Sequence, residues 1–130
     1  MISGRIQSVN DQIAKVLITS EERPKLLEIL TSPGDTSIKL EVYYQSDDIV
    51  MCLILSKMTR IYRGMEIGGT GIGLTVPSAE LLLGRVINLF GEPQDNKPPI
   101  IEDRHIPIYS QTPPLNTIKS GYGVLETGIK

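Results

Sequence analysis

The run Gly68-Gly69-Thr70-Gly71-Ile72-Gly73 is the segment that most invites a chemical reading, because closely placed glycines let backbone N–H groups converge on a phosphate. A phosphate-binding loop of the form G-x-x-x-x-G-K-[ST] also needs a lysine, a hydroxyl and an opening helix, and Leu74-Thr75-Val76-Pro77 supplies no such lysine and no helix-forming run. A dinucleotide fingerprint fails as well, since its third glycine would fall on Leu74. The cluster is therefore expected to be a structural turn that uses glycine's tolerance of positive φ. The lone histidine, His105, stands beside Asp103 and Arg104, and a metal or catalytic role would need at least two further convergent ligands that no spacing identifies. It reads as a solvated or salt-bridged side chain. Glu92 with Asp95, and Asp47 with Asp48, are close enough in sequence for acid–base work only if burial separates their pKa values; their turn positions predict plain solvation.

Lys57, Arg60 and Arg63 lie within seven residues, with Tyr62 among them, a mixture that a base-stacking barrel could use on single-stranded RNA. The competing expectation is a solvated hairpin edge on which cations discourage strand-to-strand aggregation. Thirteen basic against fifteen acidic residues give a net charge of −2, and aromatic residues are 5% of the chain, so the electrostatic footprint of a nucleic-acid binder is missing and none is expected as a partner. Cys52, the single cysteine, sits inside Ile49-Val50-Met51-Cys52-Leu53-Ile54-Leu55 and is expected to act as a small buried hydrophobe; no disulfide can form within the chain, which fits a reducing compartment. No run approaches the roughly 18 apolar residues of a membrane span, and Met1-Ile2-Ser3-Gly4-Arg5 opens no signal peptide, so the chain reads as neither secreted nor inserted.

The elements that would position these groups are mostly short strands. Ile2 to Val9 and Ile13 to Thr19 flank Asn10-Asp11-Gln12, and Ile38 to Gln45 and Ile49 to Ser56 flank Ser46-Asp47-Asp48, so two hairpins are predicted. In the second, Ile38, Leu40 and Val42 alternate with Lys39, Glu41 and Tyr43, which predicts one buried face. Pro24 to Leu30 opens on a proline suited to a first helical turn and stops before Pro33-Gly34-Asp35, predicting a short helix. Short strands are expected over 63–68 and 73–76, with the glycines reversing the chain between them. Strands joined by turns predict a small barrel or sandwich over residues 1 to about 75, and closure is preferred because it protects strand edges. Past Pro77, one or two helical turns over Ser78-Ala79-Glu80-Leu81-Leu82-Leu83 and a strand over Arg85 to Phe90 are expected, then extended connections through the prolines between Gly91 and Pro114.

Three segments carry a more specific signal. Leu83-Gly84-Arg85-Val86-Ile87-Asn88-Leu89-Phe90-Gly91-Glu92-Pro93-Gln94-Asp95 resembles the signature that opens the nucleotide-binding domain of the F-type ATP synthase beta subunit. Val124-Leu125-Glu126-Thr127-Gly128-Ile129-Lys130 resembles the segment that enters that family's central sheet shortly before its phosphate-binding loop. Leu40-Glu41-Val42, Asp48-Ile49-Val50 and Ile61-Tyr62-Arg63-Gly64-Met65-Glu66-Ile67 are similar to its N-terminal barrel, with Val76-Pro77 at the exit. Leu89-Phe90-Gly91-Glu92-Pro93 and Arg63-Gly64 follow the beta rather than the alpha pattern. Ser78 and Ala79 stand where the family has a valine and a glycine, and Asn96-Lys97-Pro98-Pro99 replaces a more charged, glycine-bearing loop, departures that leave room for a divergent relative. Flagellar and secretion ATPases, vacuolar-type subunits and the terminator Rho share parts of this architecture.

What the resemblance implies is a mainly β chain: a six-stranded N-terminal β-barrel over residues 1–75, then the incomplete start of an α/β nucleotide-binding domain over 76–130, ending before the phosphate-binding loop. The parent would be a rotary ATPase subunit that makes or hydrolyses ATP coupled to ion transport, working with Mg-ATP/ADP in a ring of homologous alpha- and beta-type subunits, cytoplasmic and peripheral to a membrane when assembled. For this chain the resemblance implies no catalytic, cofactor-binding or metal residue, and no enzyme activity, because the family's functional groups come later. The expected role is architectural, with strand edges and an apolar rim as the contact surface. Apolar residues past Val76, among them Val86, Ile87, Leu89 and Phe90, should lie exposed and cause self-association or a rearranged tail.

Overall fold

A computed structural model describes residues 1–77, 82–101, 105–112 and 114–117. Six strands form a closed antiparallel barrel: β1 (Ser3–Asn10), β2 (Ile13–Ile18), β3 (Glu28–Ser32), β4 (Asp35–Ser46), β5 (Ile49–Ile54) and β6 (Glu66–Gly73). Around the barrel the order is β1-β2-β5-β4-β3-β6, and β6 pairs back onto β1. The two predicted hairpins are present, with Asn10 opposite Ile13 and Ser46 opposite Ile49. Each reverses through two residues whose first, Asp11 or Asp47, takes a positive φ of 49° or 45°, a conformation aspartate tolerates better than most residues.

Inward-facing positions alternate along β2 and β5 and meet residues of the other strands in one core. Ile6, Val16, Leu30, Leu40, Val42, Val50 and Cys52 are fully buried there, each contributing about 1.5–3 kcal/mol for the large aliphatic side chains. The barrel is capped by Met65, which lies in the same cluster.

Two expectations are overturned within the barrel. Residues 24–30 do not form a helix: Lys25 to Leu27 make a turn, and Glu28–Ser32 is strand β3, pairing Leu30 with Leu40 on one side and with Gly69 on the other. The proline and leucines carry helix propensity, but the gap between β4 and β6 can be filled only by a strand, and Leu30 must enter the core to fill it. The glycine run is likewise not a reversal between two strands. It is most of β6, the strand that closes the barrel between β1 and β3, with Gly71 at φ +75° opposite a register shift between Glu28 and Leu30.

Beyond the barrel, β7 (Thr75–Pro77) pairs antiparallel with β8 (His105–Pro107) in a two-stranded ribbon. Arg85 to Phe90 is not a strand. A single bridge joins Ile87 to Pro93, and the Asn88 side chain folds the segment on itself by accepting the N–H groups of Phe90 and Glu92, each at 2.9 Å. With no neighbouring strand among the described residues, these backbone groups are satisfied locally. The expected start of an α/β domain is accordingly not seen: the described residues contain no α-helix, only short 3-10 turns such as Met58–Arg60 and Leu115–Thr117. The expected helical turns over residues 78–83 fall mainly, and the segment Val124–Lys130 wholly, outside the described residues.

Candidate interaction surface

Alternation along a closed barrel puts every second residue outside. On β2 these are Ile13, Lys15 and Leu17; on β5 they are Ile49, Met51 and Leu53, and the register sets Ile13 beside Leu53, Lys15 beside Met51 and Leu17 beside Ile49. Five of these six outward positions are apolar, where a solvated sheet face would alternate to polar residues. Ile13, Leu17 and Leu53 remain 37–39% exposed. On β4, Tyr44 pairs with Met51 and is half exposed, and the Tyr43 hydroxyl donates to the Met51 sulfur at 3.4 Å. The result is a contiguous apolar face across β2, β5 and β4. Lys15 within it and Asp47 at its rim make no ion pair among the described residues, whereas Asp48 next door is bound by Arg23. The six barrel strands leave no unpaired edge, so none of them offers the strand edge expected as a contact surface.

The residues singled out from sequence are dispersed. The N–H of Gly71 donates to Glu28 Oε1 at 2.9 Å, so the glycine run serves an internal carboxylate. Glu28, 4% exposed, also accepts the Lys25 N–H at 2.9 Å and thereby fixes the turn into β3. Sequence reasoning passed over Glu28; its bond to the Lys25 N–H is the glutamate half of a capping box, but without a serine or threonine at position 25 the sequence does not signal it. His105 is exposed at the start of β8, opposite Pro77. No group of three His, Cys, Asp or Glu among the described residues could hold a metal ion.

The expectation of plain solvation fails at Asp95. Arg85 grips it with Nε at 2.6 Å and Nη2 at 3.2 Å, and the two side chains are only 16% and 10% exposed. The guanidinium hydrogen bond, aided by the N–H groups of Lys97 and Val86, holds the Asp95 carboxyl well below the usual carboxylate range. Sequence reasoning saw Asp95 only as a neighbour of Glu92; the bidentate partner lies ten residues away. Glu92 is bound by the Asn88 amide at 2.7 Å. Tyr109, on the segment after β8, has its hydroxyl pKa raised by the charge of Glu41, which is 6% exposed on the outer face of β4.

Lys57, Arg60, Tyr62 and Arg63 do not lie on a hairpin edge. They occupy the connection between β5 and β6, where Arg60 pairs with Asp35 at 3.3 Å and Tyr62 is 63% exposed. Ser37 O–H and N–H donors, with Arg60 beyond them, lower the Asp35 pKa. Among the described residues past Val76, Val86 and Leu89 are exposed as expected, while Ile87 and Phe90 are half-buried. No family model matches the chain. No helix among the described residues is long and apolar enough to cross a membrane.

Proposed function

We propose that this chain is the N-terminal structural and assembly module of an ATP synthase beta-like subunit, and that its apolar β2-β5-β4 face packs against the homologous barrel of a neighbouring alpha- or beta-type subunit. The observation that carries the reading is the coincidence of a closed six-stranded barrel with an outward face that is apolar at five of six positions. It stands beside the resemblance of Leu83–Asp95 to the segment that follows such barrels. A closed barrel cannot add a strand to a partner, so association must bury side chains face to face. Lys15 and Asp47, without an ion pair among the described residues, provide charges to fix the orientation of that contact. In the parent, ATP chemistry coupled to ion transport would belong to the rest of the subunit, which carries the phosphate loop, Mg-ATP/ADP site and catalytic carboxylate; this part would hold the ring together.

Sedimentation velocity of the chain alone and with a purified alpha-type subunit tests the proposal. Association is expected in one or both mixtures, and the double variant Leu17→Glu/Met51→Glu should weaken it by about tenfold or more, equivalent to about 1.4 kcal/mol. A strictly monomeric chain that ignores the alpha-type subunit, or an association untouched by the double variant while the barrel stays folded, would refute it. Sequencing the source DNA beyond the codon for Lys130 gives an independent test, since a phosphate-loop motif is expected within about thirty codons.

A further inference from the structure

A cleft of about 690 Å³ lies between one end of the barrel and the turn that Asn88 organises. One wall brings together Lys39 from β4 with Lys57 and Arg60 from the β5–β6 connection, and the Leu55 N–H donates to the Lys39 carbonyl at 3.0 Å, tying the two segments together. Lys39 and Lys57 make no ion pair among the described residues, and Arg60 engages Asp35 through a single Nη1 contact at 3.3 Å, leaving its other donors. Ser56 also lines the cleft, although its Oγ is turned away from solvent and has no hydrogen-bond partner among the described residues. The opposite wall is Leu89 and Phe90, with Glu92 at the lip.

We propose that this cleft binds a small phosphate-bearing anion, its phosphate oxygens on Lys39, Lys57 and Arg60. Phosphate suits the set because it offers several acceptor oxygens to donors that arrive from different directions. The volume falls within the roughly 300–1,000 Å³ of small-ligand pockets, and the Asn88 turn stands across the cleft rather than leaving an open track for a polymer. Glu92 repels an anion from the lip and so places it against the cationic wall. The site is separate from ATP chemistry of the phosphate-loop kind, which none of these residues can supply.

Isothermal titration at low ionic strength, with inorganic diphosphate and ADP as ligands and a single-stranded RNA oligomer beside them, tests the site. Saturable binding of diphosphate is expected, weakened at least tenfold in Lys39→Gln/Lys57→Gln and unchanged in Lys25→Gln, a lysine outside the cleft. If ADP binds more tightly than diphosphate and Phe90→Leu removes the excess, an organic group uses the apolar wall; equal affinities assign the binding to phosphate alone. The proposal is overturned if neither ligand binds at millimolar concentration, if Lys25→Gln weakens binding as much as the double variant, or if the RNA binds more tightly with affinity that grows with length. A thermal midpoint matching wild type shows that each variant is folded.

Discussion

Two adjacent glycines in β6 should respond in opposite ways to the same substitution. A methyl group built on Gly69 would lie 2.8 Å from Glu28 Oε1, 2.8 Å from Ile2 Cβ and 2.9 Å from Ile2 Cδ1. Ile2 is near the N-terminus and can give way, but Glu28 is held by the N–H groups of Gly71 and Lys25 and has little room to move. Overpacking of this kind costs about 1–3 kcal/mol, and disturbing either charged hydrogen bond adds about 1.5–3 kcal/mol, against a gain of about 0.5–1 kcal/mol from replacing glycine by alanine in a strand. Gly69→Ala is therefore expected to destabilise the barrel by about 1.5–5 kcal/mol. A methyl on Gly68 meets nothing closer than the Ile2 carbonyl at 3.7 Å, and its φ is not positive, so Gly68→Ala should be neutral or stabilising by up to about 1 kcal/mol. Urea unfolding followed by circular dichroism measures both; in a domain of this size each kcal/mol moves the thermal midpoint by roughly 4–8 °C. If Gly69→Ala is as stable as Gly68→Ala, the closure of the barrel through the glycine run is wrong.

Two further outcomes follow from the titrating groups. Because the folded pKa of Asp95 lies below its unfolded value, the stabilisation from the Arg85 pair is complete above the ordinary carboxylate pKa of about 3.9 and is lost as pH falls through the folded value. Protection of the Val86 amide, whose N–H donates to Asp95 Oδ2 at 3.3 Å, relative to its intrinsic exchange rate should fall when strong acid protonates Asp95, and in Asp95→Asn it should be low already at neutral pH; protection indifferent to both would refute the pair's role. Burial pushes the Cys52 thiol up to about 12, so iodoacetamide at pH 8 should label it only in denaturant, and rapid labelling of the native protein would mean that the core is open.

Much of the barrel was legible in the sequence where side-chain alternation and turn chemistry agree. Ile38, Leu40 and Val42 announced a buried face, and Asp11 and Asp47 marked tight reversals, because both signals arise from residues adjacent in the chain. Closure was expected on the general ground that it removes strand edges, and the topology shows it. The misreadings share one cause. Residues 24–30 and 68–73 have local propensities for helix and turn, yet Leu30 and Gly69 sit opposite one another in β3 and β6 because the sheet needs two more strands to close. Asp95 looked solvated for the same reason: its partner Arg85 comes into reach only when Asn88 folds the intervening chain.

The candidate surfaces divide along that line. The amino-acid order alone makes β2 and β5 apolar at every position but Lys15 and so decides that each strand has two apolar faces. Which face meets the core, and that the other faces of β2, β5 and β4 adjoin to make one patch, depends on pairings between residues some forty positions apart, such as Ile13 with Leu53. The cationic cleft goes further still: Lys39, Lys57 and Phe90 are unremarkable in isolation, and only the packing of the Asn88 turn beside the barrel end places charge and ring around one space. Local chemistry is written residue by residue, whereas proximity between distant residues is produced by closing the sheet.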